Sequence, residues 1–184
     1  MSTLPENSIV ISPIGDFDKE LLEQLAKEIR RVFGCRTAII PLLKDLEFAL
    51  DNERRQYHST QILEILAGKA PPRAIKVLGI AQVDLFIPIL TYVYGEAQLG
   101  GKACIISTYR LKEGLSPLSR TVLYHQRVVK EAIHELGHTF KLRHCKDQAC
   151  IMHYCRSTRD VDLKSDQLCR YCTILLDDEI KRVG

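Results

Sequence analysis

The chain has 184 residues, of which 46% are hydrophobic and 27% charged, and this balance is typical of one globular domain with a sizeable core. Its 26 Lys and Arg residues and 23 Asp and Glu residues leave a net charge of only +3, which argues against a nucleic-acid partner or an anionic membrane surface. The longest uncharged apolar stretch, residues 85–95, has 11 residues and is too short to cross a membrane.

The N-terminal third predicts a strand, a helix and a second strand. Residues 8–14 are apolar and β-branched and end at a proline and a glycine, which is typical of a buried strand. Residues 18–33 carry apolar side chains at intervals of three and four, and Gly34 follows where a helix C-cap belongs. Residues 37–43 predict the second strand, and Pro41 confines it to a sheet edge or an early end because proline cannot donate a ladder hydrogen bond.

The middle of the chain predicts one helix and two further strands. Residues 45–56 are charged and predict a loop or a short helical turn. A helix is expected over residues 59–66, where apolar residues cluster at helical spacing before a glycine. Residues 74–80 and 103–108 have the composition of strands. Residues 84–101, which are first apolar and then rich in glycine, predict an irregular strand or lip.

A third helix is predicted over residues 119–142, and it contains the pattern His-Glu-x-x-His. Residues four apart lie on one face of a helix, so His134 and His138 can both reach one Zn²⁺, with Glu135 beside a metal-bound water. The pattern alone also fits an amphipathic helix whose two histidines bind no metal. The helix prediction has separate support from apolar positions that are expected to be buried: Val122, Val129, Ala132 and Ile133.

A catalytic zinc site commonly has three protein ligands and one open position, and His144 is the candidate for the third. In a continued helix His144 would lie about 15 Å from His134 along the axis, at 1.5 Å per residue. Zinc ligands lie about 2 Å from the shared metal. The chain must therefore turn sharply between His138 and His144, and Asp147 remains an alternative ligand.

The cysteines are concentrated near the C-terminus, in a pattern that favours metal binding over disulfide bonds. Five of the seven lie within residues 145–172: Cys145, Cys150, Cys155, Cys169 and Cys172. Two pairs, one with four intervening residues and one with two, suit a tetrahedral structural zinc. Spacing alone does not choose between Cys145 and Cys155 as the partner of Cys150, and a zinc ribbon that binds nucleic acid is the alternative.

Residues 134–172 resemble the archaemetzincins (archaelysins), which are metzincin-like zinc metallopeptidases. The histidines and Glu135 fit the extended metzincin motif H-E-x-x-H-x-x-G-x-x-H, and Met152 lies where a methionine turn can form. The resemblance implies a metzincin-like α/β (α+β) fold: a twisted mixed β-sheet with flanking helices, an active-site helix, and a small irregular C-terminal lobe stapled by zinc. It divides the single domain into residues 1–142 and 143–184.

The resemblance also implies two zinc ions per chain. The catalytic zinc would be bound by His134, His138 and His144, and the structural zinc by Cys145, Cys150, Cys169 and Cys172. Cys155 would then be a free thiol. Lys141 stands where the motif has glycine, and a left-handed residue other than glycine costs roughly 1 to 2 kcal/mol at such a turn.

The function implied by the resemblance is hydrolysis of peptide bonds by a zinc-activated water, with Glu135 as general base and a peptide or protein as substrate. Tyr154 is a second catalytic candidate, since astacin-like metzincins carry a tyrosine two residues after the methionine; a packed or exposed tyrosine is the alternative. Glu131 is expected to be a solvated helix charge or to orient an imidazole. Residues 92–97 are expected to pair with an extended peptide, and Glu96 could anchor a substrate ammonium.

A scaffold with little or no turnover that binds zinc and peptides is the alternative function, and Lys141 is the feature that favours it. No nucleic-acid or membrane partner is expected, and the oligomeric state is not predicted. The first ten residues lack the basic and apolar regions of a secretory signal, which predicts a cytoplasmic location.

Overall fold

The computed structural model describes residues 5–116 and 120–183. Its strands are β1 (Ser8–Ile14), β2 (Arg36–Ile39), β3 (Leu50–Asp51), β4 (Gln56–His58), β5 (Ala74–Ala81), β6 (Leu85–Phe86), β7 (Gly95–Ala97) and β8 (Ala103–Ser107). Its helices are α1 (Lys19–Phe33), α2 (Ser59–Gly68), α3 (Arg120–Thr139), α4 (Thr158–Leu163) and α5 (Arg170–Val183), with short 3₁₀ turns at Glu47–Ala49 and Arg110–Lys112.

A five-stranded mixed sheet in the order β2-β1-β5-β8-β7 forms the centre of the fold. The first four strands are parallel, and β7 runs antiparallel to β8 at the edge. A smaller sheet in the order β3-β4-β6 lies beside it. The mixed sheet with flanking helices agrees with the predicted α/β class, and β2 is at the other edge, as Pro41 required.

Helices cover both faces of the central sheet, because the side chains of each strand alternate between the faces. On β1, Ile9 and Ile11 pack in the core cluster that contains the buried residues of α1 and α3. Val10, between them, packs in the cluster that contains the buried residues of α2. Helix α3 is thereby fixed against the sheet beside strand β7, where the candidate site lies.

Several sequence predictions agree closely with these elements. Asp18 caps the N-terminus of α1 by accepting a hydrogen bond from the Glu20 N–H, and Gly34 ends that helix in the left-handed conformation at φ +64°. Strand β1 has the predicted bounds. For both β1 and α1, the residues that determine where the element begins and ends lie within it or next to it in the sequence.

Other predictions were wrong in part. Residues 45–56 include strand β3 and the start of β4, and the C-terminal lobe is less irregular than predicted because it contains α4 and α5. Helix α3 ends at Thr139 rather than Leu142, and Ser119, its predicted first residue, lies outside the described residues. Val122 is 67% exposed, so it is not one of the buried positions of α3.

Within the described residues, every helix is too short or too polar to span a lipid bilayer.

Candidate metal centre

Three histidines come together at the C-terminal end of α3. His134, His138 and His144 each offer one ring nitrogen, and these atoms all lie within 4.8 Å of one another. The Nε2 atoms of His134 and His138 are 3.2 Å apart. Three imidazole nitrogens that converge on one point match the ligand set of a catalytic zinc site, which leaves the fourth position open.

The chain turns as the spacing requires. Lys141 adopts the left-handed conformation at φ +63°. Its N–H donates to the His138 carbonyl at 3.0 Å, and the Leu142 N–H donates to the Gly137 carbonyl at 3.0 Å, which together form a Schellman motif. The Lys141 Nζ lies 2.9 Å from a carboxylate oxygen of Glu179 on α5. Lysine therefore occupies the glycine position of the motif and makes an ion pair that glycine could not make.

Backbone carbonyls orient the two helical histidines. The Nδ1 atom of His134 lies 2.9 Å from the Ile151 carbonyl oxygen, and that of His138 lies 2.7 Å from the Leu142 carbonyl oxygen. Because a carbonyl oxygen only accepts, each Nδ1 carries the proton and each Nε2 keeps its lone pair for a metal. Burial lowers the pKa of both imidazoles, which favours the neutral form that binds metal.

The third residue that the structure brings to the two helical histidines is His144 and not Asp147. The carboxylate of Asp147 accepts a hydrogen bond from the Ala149 N–H at 2.9 Å, and Asp147 is not among the residues of the histidine cluster. Desolvation also lowers the pKa of His144. Among the described residues, the histidine cluster therefore consists of the three residues that the extended motif marks.

Met152 is fully buried beneath the site, as a methionine turn requires. A Cβ atom built on Gly137 would lie 2.6 Å from the Met152 sulfur, so the helix approaches this turn closely because residue 137 has no side chain. The backbone of this turn contacts both His134 and Cys145. The carbonyl of Ile151 holds His134, and the carbonyl of Met152 accepts a hydrogen bond from the Cys145 N–H at 2.9 Å.

Glu135 lies on the same end of α3 and is 7% exposed. Burial is the main cause that raises its pKa well above the ordinary glutamate value, and the negative charges of Glu131 and Glu96 act in the same direction. Its side chain packs against Gly95 on the edge strand β7. A Cβ atom on Gly95 would lie 2.6 Å from the Glu135 Cγ and 2.7 Å from the Ile105 carbonyl oxygen, so this approach requires glycine.

A cavity of about 430 Å³ opens in front of the histidines. We call it the first cavity. Its walls are the histidine cluster, Glu135, the segment 90–97 that includes β7, and the segment 154–156. Tyr154 is 46% exposed, and its ring centroid lies 5.1 Å from that of His144. Tyr154 therefore lies at the histidine cluster, with its ring beside that of His144.

Glu131 is buried, which contradicts the expected solvated charge. It is 3% exposed, and its carboxylate lies 3.0 Å from the Nζ of Lys164, which is also buried and lines the first cavity. The Ile151 and Leu142 carbonyls hold the Nδ1 atoms of His134 and His138, so these two nitrogens do not depend on Glu131 for their orientation. No pattern in the sequence marks Lys164, because a pairing across 33 residues leaves no local signal.

Glu96 lies on β7 and lines the first cavity, but hydroxyl groups engage its carboxylate. Ser59 and Thr60, at the N-terminus of α2, both donate to it, Thr60 at 2.9 Å. The position at the N-terminus of a helix also favours a negative charge. Through these hydrogen bonds Glu96 links β7 to α2. The position of its carboxylate is therefore explained without a bound substrate ammonium.

Four cysteines form a second cluster, separate from the histidines. The sulfur atoms of Cys145, Cys150, Cys169 and Cys172 all lie within 4.8 Å of one another, as a tetrahedral thiolate site requires. The sulfurs of Cys145 and Cys169 are 3.8 Å apart, and the Cys169 N–H donates to the Cys150 sulfur at 3.3 Å. Cys155 is outside this cluster, and its thiol donates to the His153 carbonyl at 3.7 Å.

Comparison with known proteins gives consistent matches. The model of Peptidase family M54 matches residues 43–178. The archaemetzincin of Methanocaldococcus jannaschii is 40% identical over 173 residues, which are 92% of this chain and 93% of that protein. The crystal structure of the archaemetzincin of Methanopyrus kandleri superposes with a TM-score of 0.83 at 32% identity, over 96% of this chain and 97% of that one. A zinc-dependent peptidase of Methanocorpusculum labreanum gives a TM-score of 0.80 at 25% identity, over 91% and 99% of the two chains. The predicted metzincin-like fold is therefore confirmed.

Proposed function

The chain belongs to peptidase family M54, the archaemetzincins, and is a zinc metallopeptidase; we propose that His134, His138 and His144 hold its catalytic zinc. The observation that supports this assignment is the convergence of the three ring nitrogens within 4.8 Å, with two Nδ1 atoms held by carbonyls. When bound, zinc lowers the pKa of a coordinated water towards about 7 and polarises a carbonyl group.

We propose that Glu135 is the general base. It follows His134 on α3 and lines the first cavity. Among the described residues, its carboxylate forms no ion pair, whereas the neighbouring carboxylate of Glu131 pairs with Lys164. Glu135 would accept a proton from the attacking water and deliver it to the nitrogen of the leaving amine. Tyr154, beside His144 at the same cavity, would donate a hydrogen bond to the developing oxyanion.

The substrate that we propose is an extended peptide bound along β7. On one side β7 pairs with β8, and in the order of the sheet it is the last strand. The backbone groups on its other side can pair with a peptide as an added strand. Residues 90–97 line the first cavity, so a peptide on this edge would pass in front of Glu135.

The four clustered cysteines would bind a second, structural zinc, with Cys155 left as a free thiol. This zinc would cross-link residues 143–184. The lobe would gain stability from it because its helices α4 and α5 contribute few buried residues to the core. The alternative of a scaffold without turnover depended on Lys141. Because the turn at Lys141 forms, that residue no longer favours the alternative.

Metal analysis combined with selective chelation tests the proposal. The purified chain should contain two zinc ions and hydrolyse a mixed fluorogenic peptide library. A moderate chelator should first remove the zinc held by three nitrogens and abolish hydrolysis, and one equivalent of zinc should restore it. His138→Ala should bind one zinc ion and be inactive. Two zinc ions in His138→Ala, or full hydrolysis after the loss of one zinc, would refute the histidine site.

Gly95→Ala should reduce kcat about 100-fold with unchanged zinc content. The added Cβ would displace the Glu135 side chain, and an error of about 1 Å in the position of a catalytic group costs about that factor. Gly68→Ala is the matched control, since a Cβ there meets no atom within 4 Å. Steady-state kinetics and zinc analysis of both variants make the comparison, and equal kcat values would mean that the contact between Gly95 and Glu135 does not position the base.

A further inference from the structure

A second cavity of about 440 Å³ adjoins the first, and His144 lines both. Its other walls come from the turn at residues 141–147 and from α5. Tyr154 lines the first cavity only, and its ring packs 5.1 Å from the His144 ring. The exposed imidazole of His144 therefore separates the first cavity, where we propose that catalysis takes place, from the second cavity.

The second cavity is mainly apolar. Leu142 is buried at its base, and Cys145 and Cys172 of the cysteine cluster also line it. Tyr171 and Leu175, which are four residues apart on one face of α5, form its wall and are 67% and 36% exposed. Apolar side chains grouped around a concave surface are typical of a binding site, because burying them releases ordered water.

Two of the charged residues that line this cavity have contacts within the chain. The Nζ of Lys141 pairs with Glu179, and the carboxylate of Asp147 accepts the Ala149 N–H. Arg143 and Lys146 also line the cavity, and both are exposed, so water solvates their charges. The uncharged part of the wall offers apolar contact to a partner.

We propose that the second cavity is a subsite for an apolar side chain of the peptide substrate, outside the residues that flank the scissile bond. This inference rests on the proposed function, since it continues the path of a peptide bound at the histidine cluster. An extended peptide advances about 3.3 Å per residue. A side chain two or three residues from the scissile bond would pass His144 and reach Leu175 and Tyr171.

Binding is measured first, on a chain carrying Glu135→Gln so that no peptide is consumed. Fluorescein-labelled ten-residue peptides of alanine, serine and glycine carry one leucine, which is moved along the peptide. At one position or two adjacent ones, leucine should tighten binding about tenfold relative to alanine, as measured by fluorescence anisotropy. Leu175→Asp should abolish this gain.

Ile174→Asp is the matched control, because Ile174 is 51% exposed on the same helix and does not line the cavity. It should keep the leucine gain. Tyr171→Ala provides a second variant at the cavity wall, and the zinc content of each variant checks its fold. An unchanged leucine gain in both Leu175→Asp and Tyr171→Ala, or no gain at any position, overturns the subsite.

Hydrolysis of the same peptides, with Glu135 present, separates this inference from the proposed function. Ile174→Asp should cleave the peptides with and without leucine at the rates of the parent chain, and Leu175→Asp should lose the preference for leucine. If no chain hydrolyses any peptide while Leu175→Asp still abolishes the leucine gain in binding, the peptidase mechanism fails and the subsite stands. If all chains cleave with the same preference, the mechanism stands and the subsite fails.

Discussion

Glu135→Gln is expected to abolish measurable peptide hydrolysis while both zinc ions remain bound. Glutamine has nearly the shape of glutamate and fits the space against Gly95, but it cannot accept the proton of the attacking water. Loss of a general base commonly costs about 10² to 10⁴ in rate, so kcat should fall at least about 100-fold. The measurement is steady-state hydrolysis of a fluorogenic peptide, with zinc content determined on the same sample.

His138→Ala gives the contrasting control for this variant. It removes a proposed ligand and should lose one zinc ion together with activity, whereas Glu135→Gln should lose activity alone. The contrast separates a residue that acts on the substrate from one that holds the metal. Undiminished turnover in Glu135→Gln would remove Glu135 from the mechanism, and loss of zinc from it would show that its carboxylate supports the metal site.

The metal centre was predictable where its geometry depends on neighbours in the sequence. His134 and His138 share a helix face because they are four residues apart, and this follows from the helix alone. The turn to His144 was predictable because no continued helix could bring that residue to the metal, and Lys141 has the left-handed backbone that this required. Local rules of helix geometry and helix termination were sufficient to predict that His134, His138 and His144 could come together, whereas the preference for His144 over Asp147 came from the resemblance to the extended motif.

Contacts that depend on long-range packing were not predictable in this way. The Ile151 carbonyl that orients His134 and the Lys164 amine that pairs with Glu131 come from segments 17 and 33 residues away. The approach of Gly95 to Glu135 depends on how α3 lies across the sheet. None of these residues has a spacing or composition that marks it, since any carbonyl, lysine or glycine could have filled the position.

Helix α5 was missed for a different physical reason. Only Cys172 and Leu176 on it are fully buried, while Tyr171, Ile174 and Leu175 are exposed. Apolar residues thus lie on both the inward and the outward faces, and the helical period in the sequence is blurred. Two of these outward residues, Tyr171 and Leu175, line the second cavity, so the exposed apolar side chains that hid the helix also support the inference of a substrate subsite.

Cys169→Ser is expected to release one zinc ion and to lower the midpoint of thermal unfolding markedly. Four sulfur atoms within 4.8 Å of one another would bind the structural zinc, and serine at residue 169 leaves three. Binding of a structural zinc is coupled to folding, so its loss removes stability from the folded state. A loss of about 3 kcal/mol would lower the midpoint by about 6 to 12 °C in a chain of this size.

Cys155→Ser is the matched control, because Cys155 lies in the same lobe but outside the sulfur cluster. It should keep both zinc ions and unfold within about 2 °C of the parent chain, since a half-buried thiol replaced by a hydroxyl loses little. Differential scanning calorimetry with metal analysis measures both variants. If Cys155→Ser lost the zinc and Cys169→Ser kept it, Cys155 would be the fourth thiolate ligand. The proposed set of cysteine ligands, which joins α5 to the turn after His144, would then have to be reassigned.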